Sequence, residues 1–311
     1  MTLQVFGVNP VIELAPLLLA VHRLSGGTEK VHHGGVAHLI GMGHLMQAQH
    51  GMTGVVNREA PLPYGSGGAD VATNAETQTL RLSVDRPDMR IILNVTEGLY
   101  RIIARRSAGI ASIRDLAGKR VGTFPRTSSA YYLFKELQTA GLSESDVQLQ
   151  GFAPAGEVSK AMIDGQVDAI SIWEPFAQEA QEALGEDAIE LKTPGLYRHI
   201  FNLNTTAAKL NDPVMRQEIV ALVKELIVVC KLITDDPTLV WPLSEKVSGH
   251  RPELIRSCWP HHRWVATLPD DLLDVMVDEE KWCATENGRT PRTREQLATL
   301  IDDSVFKEAT A

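Results

Sequence analysis

Four consecutive residues, Arg126-Thr127-Ser128-Ser129, put a guanidinium and three hydroxyls side by side. They follow an apolar β-run at 119–124 and open a helical pattern. At a helix N-terminus the first backbone N–H groups lack intrahelical partners and the helix dipole is positive, so the segment is suited to hold a small anion. The same spacing also fits a plain N-cap by Thr127 or Ser128, with Arg126 in solvent. A second strand end carries Trp173-Glu174, where the indole could stack on a ligand and the carboxylate could accept from an amine. The alternative is that Trp173 packs on the next helix and Glu174 caps it. His33 closes a β-run just before Gly34-Gly35; it fits a general base or a donor to an anion, and equally a solvated or core imidazole. Arg101 stands where the chain should pass between two units, either as a second anion contact or as a surface charge.

Other chemistries find little support. Ten histidines invite a metal, but His38, His44 and His50 recur every six residues, a step that turns a helix by about 240°, so the three cannot converge. His32-His33 and His261-His262 are adjacent pairs, which point to opposite sides of a strand. No HExxH, GxSxG, Walker or GxGxxG pattern is present, and no metal or cofactor is expected. Cys230, Cys258 and Cys283 are far apart and read as free thiols. A net charge of −9 argues against nucleic acid as partner. The N-terminal apolar run lacks a basic flank and is interrupted by Pro10, Glu13 and Pro16, so neither a signal peptide nor a membrane span is expected. The sequence as written therefore reads as cytoplasmic, or as periplasmic or extracellular if a signal has been removed.

These residues need elements to position them. Strands are expected at 3–8, 28–33, 69–73, 90–95 and 100–105, with helices at 13–24, from 36, and at 74–84. A second unit follows with strands at 119–124, 146–152, 167–173 and 188–191 and helices from 128, at 156–164 and at 176–184. From Pro213 onward the pattern is helical, at 214–235, 237–248, 252–258, 269–284 and 293–305, with Asp212-Pro213 and Asp236-Pro237 as helix starts. Alternating strands and helices predict two α/β units with parallel sheets and ligands at the carboxyl ends of the strands. Residues 42–67, rich in Gly, His, Met and Pro, read as a long insertion or lid.

The segments DLAGKRVGTFPRTSSAYYLFKELQTAGL and AMIDGQVDAISIWEPF resemble the NMT1/THI5-like family, which includes sulfonate, nitrate and taurine solute-binding proteins of ABC transporters. VNPVIELAPLLLAVHRL is similar to that family's first strand and helix, and GADVATNAETQ to a later strand end. The resemblance implies an α/β fold of the type II periplasmic-binding-protein kind: two α/β lobes around a cleft, with a helical C-terminal tail. It implies lobe 1 from 1–100 plus 205–311, lobe 2 from 101–204, and a hinge near 96–106 and 200–207. Carried over by position, the ligand-facing residues are Asn9, Glu13, Gly34, Gly35, Thr73, Asn74 and Glu76. Arg101, Arg126, Thr127, Ser128, Ser129, Trp173 and Glu174 complete the set. The implied function is binding of a small anionic ligand, a sulfonate, carboxylate or phosphorylated pyrimidine, in partnership with an ABC permease if exported. The alternative is a cytosolic enzyme on the same fold, desulfinase-like or pyrimidine-biosynthesis-like, with His33 as candidate catalytic group.

Overall fold

The structure is a computed structural model that describes residues 2–8, 10–27, 30–41 and 68–311. From the N-terminus the chain forms β1 (Val5–Gly7), α1 (Ala15–Ser25), β2 (Val31–His33), β3 (Val71–Ala75), α2 (Glu76–Leu82) and β4 (Met89–Gly98). It then crosses to a second lobe: β5 (Ile102–Arg105), β6 (Arg120–Thr123), α3 (Ser128–Thr139), β7 (Gln148–Gly151), α4 (Ala155–Ile163), β8 (Ala169–Ser171), α5 (Phe176–Leu184) and β9 (Ala188–Leu191). It returns as β10 (His199–Thr206), α6 (Ala207–Asn211) and α7 (Pro213–Asp235), followed by α8 (Trp241–Ser248) and α9 (Pro252–Cys258). β11 (His262–Thr267), α10 (Leu272–Glu286), α11 (Arg294–Ala298) and α12 (Ser304–Thr310) complete it.

Two sheets result, ordered β11-β4-β10-β3-β1-β2 and β7-β6-β8-β5-β9. The expectation of parallel sheets needs correction. Each sheet has a parallel core, β2-β1-β3 and β7-β6-β8. To these cores are added strands that run the other way: β10 between β3 and β4, β11 beside β4, and β5 between β8 and β9. Parallel neighbours need a crossover that carries the chain back to its starting edge. β10 arrives from the other lobe and is free of that constraint.

β10 also corrects the expected hinge and lobe boundary. Residues 200–207, expected as a crossover, lie mostly in this central strand, and a lobe boundary at 204 would cut through it. Asn202 and Asn204 interrupt its apolar pattern, yet both are fully buried. Asn204 is satisfied there: its amide donates to the carbonyls of Ala72 and Asn202, and its oxygen accepts from Thr79 Oγ1 at 3.0 Å. The connections between the sheets are 99–101 and 192–198. β11 was likewise hidden in a stretch read as helical. The expected helix at 293–305 is split into α11 and α12, because Ile301 pairs with Ile91 and Asp302 N–H donates to Ile91 O at 3.0 Å.

The tail covers the first sheet. Leu17, Leu18 and Val21 of α1 and Leu222, Val223 and Leu226 of α7 pack with Val5, Val71, Leu93 and Val95 of the strands. Each such side chain contributes about 1.5–3 kcal/mol by leaving water. Asp212 starts α7 as expected, its carboxylate accepting from Val214 N at 2.9 Å and Met215 N at 3.1 Å. The second lobe has its own cores on the two faces of its sheet, around Tyr132 and Leu133 and around Val158 and Phe176.

Candidate functional site

β6 delivers Thr123 and Phe124, and a short turn then starts α3. The N-cap residue Thr127 does not cap: its hydroxyl donates to Phe124 O at 2.7 Å, and no side chain accepts from the first turn of α3. The first N–H groups of the helix are therefore left to a ligand or to solvent. Ser128 is 2% exposed and its Oγ lies 3.0 Å from Tyr100 Oη. Burial, with the charge of Glu13, raises Tyr100 well above the usual phenol range, so it remains an O–H donor.

Thr127 and Ser128 form one wall of a cavity of about 50 Å³ between the lobes. Trp173, just past β8, stands on the same wall, and its Nε1 is buried without a hydrogen-bond partner among the described residues. The opposite wall comes from the first lobe: Glu13, Asn74, His199 and Phe201, with Gln78 at the side. Gly35 makes room for Asn74, since a Cβ there would sit 2.4 Å from Asn74 Nδ2.

Behind that wall runs a chain of buried carboxyl and imidazole groups. His199 Nδ1 lies 3.6 Å from Glu13 and its Nε2 3.6 Å from Glu76, while His262 Nε2 is 3.6 Å from Glu13. These separations exceed hydrogen-bond length, so the attraction is coulombic. Burial works against the Glu13 carboxylate, but His262 and His199 outweigh it and hold the group at about 2. Burial works against the imidazolium of His199 too, and Glu76 and Glu13 raise it nonetheless. Glu279 of α10 completes the chain: burial, with Glu76 beside it, raises its carboxyl well above the usual range. Tyr197 Oη donates to Glu76 Oε1 at 2.6 Å.

Of the residues expected to face a ligand, the structure brings Glu13, Asn74, Thr127, Ser128 and Trp173 to one cavity. Gly34 and Gly35 lie behind it, permitting close approach of His38 and Asn74. Thr73 and Glu76 are fully buried and do not line the cavity, and Ser129 is turned inward, its Oγ 2.9 Å from Thr127 Oγ1 and 3.2 Å from Thr123 Oγ1. Arg101 and Glu174 are spent on each other. Arg101 is 2% exposed and donates to Glu174, Glu190, Gln178 and Gln181, while Glu174 also accepts from Gln178 N. They lock α5 to the edge of the second sheet and offer no donor to the cavity. Arg126 turns away, with φ +62° and its Nη2 donating to Asn287 Oδ1 at 2.6 Å. His33 is not on the cavity wall, and burial together with His38 pushes its imidazole down to about 4, so it is neutral at pH 7. Asn9 and residues 42–67 lie outside the described residues.

Sequence reasoning missed Tyr100, His199, Gln78 and Phe201. Tyr100 sits in a crossover, and His199 and Phe201 belong to the unrecognised strand β10. The one available signal was the triplet Tyr197-Arg198-His199, a polar cluster directly before Ile200-Phe201, which fits the start of a strand. Among the described residues, no group of acids, histidines and cysteines is arranged to hold a metal ion.

The arrangement pairs a wall of donors, from Ser128, Trp173 and the start of α3, with a wall of buried carboxylates and imidazoles. The donor wall can take up an oxyanion. The family model described as NMT1/THI5 like matches residues 57–216. Over 79 residues the chain is 33% identical to a protein of Escherichia coli (strain K12) named "aliphatic sulfonates-binding protein". That match covers 25% of this chain and 24% of that protein, so it spans about a quarter of the relative's length. The alkanesulfonate-binding protein SsuA from Xanthomonas axonopodis pv. citri, bound to MOPS, superposes with a TM-score of 0.70 at 18% identity, over 97% of this chain and 98% of that one. The desulfurization enzyme DSZB superposes with a TM-score of 0.60 at 16% identity, over 98% of each chain. At such identities the structural likenesses establish the fold.

Proposed function

Because the chain belongs to the NMT1/THI5-like family, we propose that it binds a small organic anion in the cavity between its lobes. The ligand is of the sulfonate, carboxylate or pyrimidine-phosphate class, with the sulfonate class favoured by the relatives. The observation that carries this reading is the Trp173 Nε1–H, buried and unpaired on the same wall as a helix N-terminus that no side chain caps. Buried donors without partners are uncommon, and an oxyanion satisfies several at once. Such a protein acts with an ABC-type permease, in the periplasm or outside the cell. No helix among the described residues is long and apolar enough to cross a membrane, so transport would depend on that partner. Entry and release require the lobes to part about the connections at 99–101 and 192–198.

A desulfinase-like enzyme on the same fold is the competing reading, and the resemblance implies a cleft cysteine for it. Burial pushes the thiols of Cys283 and Cys230 up, to about 11 and about 12, and that of Cys258 higher still. None of the three lines the cavity. A protonated thiol away from the cleft is no nucleophile, which favours binding. Calorimetry with ethanesulfonate, propanoate and a pyrimidine phosphate tests the assignment. Saturable binding of one class, weakened about tenfold by Ser128→Ala, is the expected result. Absence of heat with all three would remove the reading.

A further inference from the structure

Beside the cavity, and sharing Gln78 and Thr127 with it, lies a larger groove of about 280 Å³. Its walls come from both lobes: Arg81 and Asp85 from α2 and the turn after it, Arg126 before α3, and Asn287 and Arg289 just past α10. Arg289 is committed, with Nη1 and Nη2 both donating to Glu280. Arg81 is different. Its side chain is only 8% exposed, its guanidinium lies 5.0 Å from the ring centre of Trp282, and it pairs with Glu286 through Nη2 alone. Its Nε and Nη1 are buried without hydrogen-bond partners among the described residues. Two donors of one guanidinium are thus left both dry and unpaired, an unfavourable state that the oxygens of a bound anion would relieve. Arg126 reaches the same groove from the facing lobe. It holds a backbone conformation uncommon for a residue with a side chain, fixed by Gln78 Nε2 donating to Arg126 O at 3.0 Å.

We propose that this groove is a second anion site, distinct from the cavity, which takes a phosphate-type oxyanion between Arg81 and Arg126. The unpaired Nε and Nη1 of Arg81 donate from the α2 side, and the guanidinium of Arg126 closes from the other. The tetrahedral oxyanion, with several acceptor oxygens, fits two guanidinium groups approaching from different directions. Glu286 and Glu280 neutralise part of the local charge, so the site selects for acceptor geometry and not for charge alone. Since one arginine belongs to each lobe, an anion here also tightens the closed arrangement.

Calorimetry of the full chain with inorganic phosphate at low ionic strength, with chloride at matched strength as control, tests the site. Saturable one-to-one binding in the millimolar range or tighter is expected for phosphate and not for chloride. Arg126→Gln is on an exposed turn and should fold normally while weakening phosphate at least tenfold; Arg81→Gln should do the same. Ser128→Ala should leave phosphate affinity unchanged while weakening ethanesulfonate, which separates this site from the cavity. Absence of saturable phosphate binding, or equal affinity in wild type and Arg126→Gln, would overturn the proposal. So would loss of phosphate in Ser128→Ala comparable to that in the arginine variants.

Discussion

At the scale of single residues, charge and hydrogen bonding decide what the cavity accepts. Replacing Trp173 with Phe keeps an aromatic ring beside Phe124, whose ring centre lies 5.7 Å from that of Trp173, and removes the unpaired N–H together with part of the indole. Because a hydrogen bond to a charged acceptor contributes about 1.5–3 kcal/mol, ligand affinity should fall at least about tenfold, while the smaller ring lowers Tm by a few degrees without unfolding the protein. Calorimetry beside thermal melting checks both halves, and an unchanged affinity would take Trp173 out of the site. The buried chain of carboxyl and imidazole groups sets a pH dependence. His199 is raised above its ordinary 6.5, so its contribution to stability is complete below that value and fades as pH rises through the folded value. Glu13 is lowered from 4.5 to about 2, so its contribution is complete above 4.5 and is lost toward pH 2. Glu279, raised well above 4.5, retains its proton in the folded state and opposes folding increasingly as pH rises past that value. Glu13 sets the lower limit and His199 and Glu279 the upper one, which together place the optimum of this cluster on the acidic side of neutrality. Tm should be higher at about pH 5.5 than at about pH 8, and Glu279→Gln should raise the pH 8 value and flatten the difference. A wild-type Tm that climbs toward pH 8 would contradict the assignment.

At the scale of elements, the site depends on how closely two strand ends approach. Gly35, after β2, has no Cβ, and Asn74, near the end of β3, fills that space. In Gly35→Ala the new methyl would lie 2.4 Å from Asn74 Nδ2 and 3.2 Å from Val8 Cγ2. The amide can swing aside, so the cost to stability should stay near 1 kcal/mol, while the cavity wall is displaced. Ligand affinity should drop severalfold with a small change in Tm; the reverse pattern, a large loss of stability with full affinity, would show that Asn74 is a core residue only. Element scale is also where sequence pattern was most and least informative. β6 and α3, β8, and the Asp212-Pro213 start of α7 follow directly from alternation, apolar runs and capping residues. β10 did not, because its buried asparagines look like a loop until the neighbouring strands that flank them, and that satisfy Asn204, are known.

At the scale of the molecule, the lobes meet across the cleft through an apolar contact of Tyr131 with Trp282 and through polar pairs. Asp278 of α10 accepts from Tyr131 Oη and Lys135 Nζ of α3, each at 2.7 Å, and Tyr197 reaches Glu76 from the return connection. With the cavity walled from both lobes, a ligand reaches it only when these contacts open. Asp278→Ala removes two of them from a half-exposed position, where each contributes modestly. The free protein should then be more open, with a larger radius of gyration in small-angle scattering, and ligand should leave severalfold faster in stopped-flow measurements. Identical scattering and off-rate in the variant would mean that closure is set elsewhere.

The sequence by itself determined the two-lobed α/β class and the strand-to-helix segment that presents Thr127 and Ser128; Glu13 and Asn74, also on the cavity wall, were pointed to by the family resemblance. The first two features are local: they depend on periodicity, on caps and on the strand end that precedes a helix, all encoded within a dozen neighbouring residues. Tertiary structure alone decided which charges remain available. Arg101, one of the two cations that the sequence offers to an anion, is claimed by Glu174 and Glu190, 73 and 89 residues away, and Arg126 is drawn from the cavity into the neighbouring groove beside Asn287, 161 residues away. His199 and Tyr100 gain their roles only when the connections between the lobes fold against the first sheet. An ion pair is settled by distance and desolvation, and both depend on chain segments that no local pattern brings into contact.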